Sequence, residues 1–561
     1  MSSHALRNLR LDIDDDGIAV ALIDMPGRPF NVFSDDMIDD LAALIALIEN
    51  SRALKAVVIA SGKDAFMAGA DLSMVQGFTT LRFKHTPAEI RRVFSRLTYT
   101  LRKLERVRVP TVAAVNGLAL GGGLELAMAC HYRLAAQGST PCLGLPEVLL
   151  GLLPGAGGTQ RLPRLTSPSF AAHMLLGGQP VTPSAALEAG LVDALADPVA
   201  LIASAREMAR HADAGARWDR RGWRAPADHA HLLEGADGAE RLLAMACTGA
   251  RVAHLYPAVG AIMQCLRDGF QRDIDAGIEI EIDSFLPLML GPVAGNMVRT
   301  SFLSKTAAPK RAAARVAVSA ADVKRIAVRG VADVPPRLAK RFEVRGATDS
   351  VDATLLFDDA AADHTQPCPL RVRSVLHAAP ADCAAELRIA SAFESADCVE
   401  IAGDDSVAAA TALAIANRLR MTPVVTTAAA PGAASRLLQV TRACAEQQLA
   451  SPGARAAVAH ALDLQALFQH AGLEVAPLAG YTDVDRVYGL KLMTTVAMEA
   501  ARLFDAGVFA CAEDADVLAV FALGFPAWSG GPLSYLDMLR RGELPGARAP
   551  AELRAAPYYP H

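Results

Sequence analysis

The stretch from Thr111 to Leu162 narrows the choice of fold more than any other part of the chain. Thr111-Val112-Ala113-Ala114-Val115 is apolar without alternation, the pattern of a strand covered on both faces as in a parallel sheet. It runs into a turn containing Gly121-Gly122-Gly123 and then into a helical stretch. An earlier run, Val57-Val58-Ile59-Ala60, has the same character and leads into the small-residue segment Ala65–Leu72, AFMAGADL. Strands alternating with glycine turns and helices from Leu9 to about Ala196 indicate an α/β domain.

The two turns carry the first hint of chemistry. Small residues let a ligand approach main-chain N–H groups, and the helix start after the glycines adds positive potential. One N–H from each loop would make an oxyanion hole for a thioester or enolate oxygen. Taken singly, a Gly-Gly-Gly turn is more often a packing device. Two carboxylates shift the balance. Glu125 stands in the first turn after the glycines, and Glu147 follows 22 residues later in the apolar setting LGLPEVLLG. The structural reading makes Glu125 a complement to the helix dipole and Glu147 a cap or ion-pair partner. The chemical reading is that an apolar neighbourhood shifts a carboxyl pKa, and that two carboxylates beside an oxyanion hole suit proton transfer next to a carbonyl.

The chain has 561 residues, which implies about three or four domain-sized units. Hydrophobic residues are 52% and charged residues 20%, enough to build real cores. With 55 basic against 60 acidic residues the net charge is −5, which gives no general drive toward nucleic acid. No apolar run reaches the roughly 18–20 residues of a membrane span. The opening MSSHALRNLRLDIDDDG lacks an apolar secretory segment, and the nine cysteines form no CxxC pair, so the expectation is a cytoplasmic protein without disulfides or bound metal. RWDRRGWRAP, around 215–226, reads as a solvated linker or helix edge, with a phosphate-contacting patch as the minority reading, and 304–320, with KTAAPKRAAAR, as a second linker after a helical connector. A second α/β pattern begins near Lys324 and gives way to helical periodicity from Ala430.

In order, AGAD, NGLALGGGLELAMAC, PEVLLG and PGAGGTQRL resemble the crotonase (enoyl-CoA hydratase/isomerase) superfamily. The resemblance implies oxyanion-hole N–H groups at Ala70 and Gly122, glutamates at Glu125 and Glu147 that handle water and protons, and a Gly155 amide that helps hold the water. Ala68, Asp71 and Leu72 would lie along a coenzyme A thioester. Keeping both glutamates favours a hydratase acting on a trans-2-enoyl-CoA, with neither metal nor redox cofactor. Pocket walls, Gly77–Arg92 among them, would set acyl-chain length.

The connector YPAVGAIMQCLRDGFQRDIDAGIEIEIDSFLPLM, the passage TPVVTTAAAPGAASRLL and the tail ALGFPAWSGGPLSYLD look like multifunctional β-oxidation enzymes, which fuse a hydratase to an NAD-dependent 3-hydroxyacyl-CoA dehydrogenase. The implied layout is a crotonase-fold (ββα superhelix) domain over 1–200, a helical connector and linker over 201–319, a degenerate Rossmann-like domain over 320–428 and an all-α domain over 429–561. The dehydrogenase half departs from its pattern. Dinucleotide binding needs G-x-G-x-x-G after the first strand, and here Arg329-Gly330-Val331-Ala332-Asp333-Val334 keeps one glycine. Ala392 stands where the family has its catalytic histidine, Ser435 where it has an asparagine, and Glu400 is left without a histidine to orient. His377, a lone histidine, reads as structural. NAD binding is therefore expected to be lost. The alternatives are a Δ3,Δ2-enoyl-CoA isomerase or another crotonase-type lyase or hydrolase, a bifunctional hydratase–dehydrogenase, and a scaffold that holds a thiolase or self-associates.

Overall fold

In the computed structural model the apolar runs near residues 57 and 111 become adjacent parallel strands, with Val57, Val58 and Ile59 in register with Thr111, Val112 and Ala113. The structure describes residues 6–78, 80–221, 223, 254–316, 322–329, 331, 333–346, 350–357, 369–374, 385–389, 392–402, 406–427, 432–477 and 480–559. It divides into two compact units, Met1–Gly295 and Asn296–His561.

The first unit contains β1 (Leu9–Ile13), β2 (Ile18–Ile23), β3 (Ala56–Ser61), β4 (Thr111–Val115), β5 (Ala119–Leu120), β6 (Tyr132–Ala136), β7 (Leu143–Gly144) and β8 (Ala194–Ala196). Six of them form one sheet in the order β1-β2-β3-β4-β6-β8, and β5 pairs with β7 in a small second sheet. All neighbours are parallel except β1 and β2. One sheet face, with Val20, Val58, Val112, Ala114 and Leu134, packs on Leu201, Ala205 and Ala209 of the Leu201–His211 helix. Part of the Gly77–Arg92 stretch opens the Pro87–Leu104 helix, which starts at Thr86 with a reciprocal capping box to Glu89.

That helix is tied by charge to the Ile274–Leu290 helix. Arg91 Nη2 donates to Glu279 Oε2 at 2.7 Å, Tyr99 OH donates to Glu279 Oε1 at 2.7 Å, and Arg102 Nε donates to Asp275 Oδ1 at 2.8 Å. Arg102 also pairs with Asp219, and Trp218 packs against Ile274, Ile278 and Ile282. Residues 217–219 are thus a docked 3-10 turn where a solvated linker was expected. Asp219 supplies a counter-charge to an Arg102 side chain that is largely out of water, and 224–226 lie outside the described residues.

The second unit holds β9 (Arg325–Arg329), β10 (Glu343–Val344), β11 (Ala353–Phe357), β12 (Pro369–Ser374), β13 (Ala385–Ile389), β14 (Cys398–Ala402) and β15 (Thr422–Thr426) in one sheet, ordered β10-β9-β11-β12-β13-β14-β15. It is parallel except between β13 and β14. Every residue of β11, β14 and β15 is buried, as expected of parallel strands covered on both faces. From Ala433 onward every regular element among the described residues is a helix, including Ala433–Gln448, Asp483–Asp505 and Pro532–Arg540. KTAAPKRAAAR, expected as a linker, is the Lys305–Arg315 helix. Its alanines favour helix, and Ala308 and Ala312 are buried. Among the described residues no helix is long and apolar enough to cross a membrane.

Candidate active site

The two loops named from sequence are zipped together at the carboxyl ends of β3 and β4. Met67 N–H donates to Leu118 O at 3.0 Å, and Leu120 N–H donates to Met67 O at 3.1 Å. The first loop is also fixed to the preceding segment: Ala68 N–H donates to Asn31 O, Phe33 N–H to Gly69 O and Asp71 N–H to Phe33 O, at 2.7–2.9 Å. Because Gly69 O and Asp71 N both turn toward Phe33, the extended backbone points the Ala70 N–H the other way. Ala70 is exposed. Gly122 is the first residue of the Gly122–Ala129 helix, so its N–H has no partner within the helix. Among the described residues neither N–H has a protein acceptor.

The small β5–β7 sheet explains how Glu125 and Glu147 come together. It places Leu120 beside Gly144, and Gly121 N–H donates to Gly144 O at 2.9 Å. The chain leaving β7 therefore returns to the glycine turn and delivers Glu147, the first residue of a short 3-10 turn, Glu147–Leu150. Gly121 has φ +52°, and a Cβ there would lie 2.5 Å from Glu147 Oε1, so a side chain is excluded twice over.

The two carboxylates sit in different surroundings. Glu125 is buried, and its Oε1 accepts from Ala156 N–H at 2.7 Å and Gly158 N–H at 2.8 Å. Burial raises its pKa, opposed by those two amides and by the Arg161 charge. Glu147 Oε2 is buried with no hydrogen-bond partner, the one carboxylate oxygen in that condition among the described residues. Burial lifts the Glu147 pKa well above the ordinary value, and the charges of Glu125 and Glu281 push it the same way.

A third carboxylate was not singled out from sequence. Glu281 is completely buried. Its Oε1 accepts from Gly157 N–H at 2.5 Å, and its Oε2 accepts from Thr159 N–H at 2.9 Å and Thr159 Oγ1 at 2.5 Å. Burial first, then the Glu125 charge, raise its pKa to about 8. A signal existed: Glu281 shares the 274/278/282/285 stripe of buried apolar residues on its helix, where an ionisable side chain is out of place. Asn31 was also missed. Fully buried, it accepts from Met25 N–H and donates to Ile23 O, Ser61 Oγ and Phe66 O, locking the first loop.

The remaining expected residues take varied places. Ala68 lies on the loop. Asp71 is buried and paired with Arg28, so its carboxylate serves the loop. Leu72 begins the Leu72–Phe78 helix. The Gly155 carbonyl accepts from Thr98 Oγ1 at 2.7 Å. Gly155 also edges a narrow cleft with Ile90, Phe94, Ser95, Ile282 and Phe285. It is the next residues, Ala156 and Gly158, whose amides hold Glu125.

In the second unit Glu400 is fully buried and fully engaged. It accepts from Thr426 Oγ1 at 2.8 Å and from Ala433 and Ala434 N–H at 2.9 and 3.0 Å, and it pairs with Arg388. Ala392 is exposed and Ser435 is buried in the Ala433–Gln448 helix. After β9 the next helix, Pro336–Ala339, has four residues and opens with Pro335 as N-cap and Pro336 in the first turn. Gly330, Ala332 and His377 lie outside the described residues.

Comparison with known proteins bears on the first unit. The sequence model of the family described as enoyl-CoA hydratase/isomerase matches residues 15–218. The fatty acid oxidation complex subunit alpha of Shewanella halifaxensis is 36% identical over 311 residues, covering 54% of this chain and 41% of the relative. That of Idiomarina loihiensis is 35% identical over 332 residues, covering 57% and 44%. The chain thus spans about two fifths of the length of the curated relatives it matches. Among solved structures, the enoyl-CoA hydratase from Bacillus anthracis is 26% identical, covering 50% of this chain and 89% of that one, with a TM-score of 0.33. The match covers both zipped loops and both glutamates, so residues 15–218 of this chain are similar in sequence to the enoyl-CoA hydratase/isomerase family.

Proposed function

We propose that the first unit hydrates trans-2-enoyl-CoA thioesters in fatty-acid β-oxidation and that the second unit carries out no dehydrogenation. The observation that carries the hydratase reading is the unpartnered, buried Glu147 Oε2 beside a Glu125 held by two amides. A buried polar atom without a partner is costly, and it is kept where a ligand or water is to be handled.

The two environments divide the labour. Glu147, with no donors to its Oε2 and with burial and the Glu125 and Glu281 carboxyls pushing its pKa up, is biased toward its protonated form and serves as acid. Glu125, with two N–H donors on Oε1, has more support for its charge and serves as base. With the thioester oxygen accepting from Ala70 and Gly122 N–H, electron density leaving the C2–C3 double bond settles on that oxygen. Water bonds to C3 through oxygen and gives one proton to Glu125, and Glu147 gives its proton to C2. The sum is one water added across the double bond, and return of the proton from Glu125 to Glu147 through solvent resets the pair. An isomerase needs only one carboxylate to carry a proton between two carbons; fixing a second one with two amides favours water addition.

Dinucleotide binding does not fit the second unit's residues. A pyrophosphate cradle uses free N–H groups at a helix start, and the helix after β9 begins with two prolines, which have none. Glu400 is already engaged by the start of the Ala433–Gln448 helix, and Ala392 offers no base. This supports a unit retained for packing or assembly. Crotonyl-CoA turnover, followed by loss of the conjugated-enone absorbance with and without NAD, tests both halves. The reading requires substrate loss that depends on Glu125 and Glu147, and no NADH.

A further inference from the structure

The Ala156–Thr159 turn has two sides, and the chemistry assigned to Glu125 uses only one. Its N–H groups alternate. Those of Ala156 and Gly158 go to Glu125, and those of Gly157 and Thr159 go to Glu281. The turn leads into the Gly158–Leu165 helix, with Gly157 at φ +98° as its N-cap, so two carboxylates share one positive helix end. Glu281 comes from the Ile274–Leu290 helix, more than 60 residues past the end of the family match at 218. The same helix is fastened to Pro87–Leu104 through Arg91, Tyr99 and Arg102. The turn is further held from the connector side, where Gln160 Nε2 donates to Cys265 O at 3.1 Å and Arg164 Nη2 donates to Gly269 O at 2.9 Å.

We propose that Glu281 is a positioning residue for the hydration reaction: by gripping the far side of the Ala156–Thr159 turn it fixes the two amides that aim the Glu125 carboxylate. The proposal rests on the hydratase reading above. A domain limited to 15–218 would have the turn without this grip. The connector thereby becomes part of the catalytic apparatus without touching substrate. An apolar residue at 281 would leave the Gly157 and Thr159 amides buried and unpaired, which costs about 1–3 kcal/mol each.

The groups facing Glu281 come from several elements. Glu125, on the Gly122–Ala129 helix, opposes its ionisation, while the Thr159 hydroxyl, the Gly157 amide and the Arg161 guanidinium favour it. Glu281 in turn raises Glu147 and pushes the Cys265 thiol, already raised by burial, up to about 12.

The test uses the full-length chain. Glu281→Gln keeps the volume and one acceptor but sets an amide NH2 against a backbone donor. The expected result with crotonyl-CoA is kcat lower by about 10–100-fold with KM changed by less than about threefold, the effect of losing an orienting partner outside direct substrate contact. Glu281→Asp, which keeps a carboxyl to accept from the turn, recovers kcat in part. Hydrogen–deuterium exchange of the 154–162 segment supplies a readout independent of activity and is faster in Glu281→Gln. A Glu281→Gln enzyme with wild-type kcat and wild-type exchange of the turn overturns the proposal. If the wild type hydrates nothing, the hydratase reading fails on its own, and exchange decides the grip: faster exchange sustains it, unchanged exchange overturns it. Should Glu281→Gln not fold, Thr159→Val, which removes one of three donors to Glu281, is expected to move kcat and exchange in the same directions by less.

Discussion

Glu125 in the first unit and Glu400 in the second are placed alike: each is buried, and each accepts two backbone N–H groups near the start of a helix. Their surroundings separate them. Glu400 also has Thr426 and the Arg388 cation, which complete its shell. Glu125 has Glu147 as a neighbour, and the Oε2 of that neighbour has nothing. A satisfied carboxylate is a structural joint. An incomplete pair beside two unengaged N–H groups is a place prepared for something else to arrive.

The sharpest way to break the contrast is to remove the acid. Glu147→Gln is expected to lower hydration of crotonyl-CoA by about 10³-fold or more, read by enone absorbance, without lowering the melting temperature, since Oε2 has no protein donor to lose and glutamine keeps the other acceptor oxygen. Glu125→Gln should match it within about tenfold; retained isomerisation of a 3-enoyl-CoA by this variant would point to the isomerase alternative instead.

Gly121→Ala sharpens the comparison from the other side. The new methyl meets Glu147 Oε1 in a backbone conformation that disfavours side chains, so kcat should fall by about 10²-fold with stability reduced by about 1–2 kcal/mol. Glu400→Gln should do the reverse. Crotonyl-CoA kinetics stay at wild type while denaturant unfolding reports about 1–3 kcal/mol lost.

A smaller effect is in the pH dependence of stability. Glu281 has its folded pKa raised from 4.5 to about 8, so it favours folding fully below pH 4.5, and that contribution is lost as pH rises toward about 8. Melting temperature should therefore decline across pH 4.5–8, and Glu281→Gln should flatten the decline. A profile that rises across this window in the wild type, and is unchanged in the variant, would contradict the assigned shift.

How much of this was legible beforehand follows from the range of each interaction. The zipped loops were, because β-branched runs and glycines are local signals, and so were Glu125 and Glu147, because their apolar settings are visible in adjacent residues. Which amides hold Glu125 was not, because the Ala156 and Gly158 N–H groups reach it from 31 and 33 residues away. Glu281 was missed because its partners lie more than 120 residues earlier, and only its place on an apolar stripe betrays it. In the second unit the single glycine at 330 and the alanine at 392 are plain in the sequence. The full shell around Glu400, built from β13, β15 and a helix start, is not. Alanine-rich KTAAPKRAAAR looked like a linker because its charges masked a helical propensity that burial of Ala308 and Ala312 settles.

The central claim is that water addition belongs to the first unit and redox chemistry to neither. It is tested most directly by following crotonyl-CoA at the enone band with wild type and Glu147→Gln, each with and without NAD. The account predicts enone loss in the wild type, at least about 10³-fold less in the variant, and no absorbance of reduced nicotinamide in any sample. Equal turnover in both proteins, or NADH formed by the wild type, would contradict it.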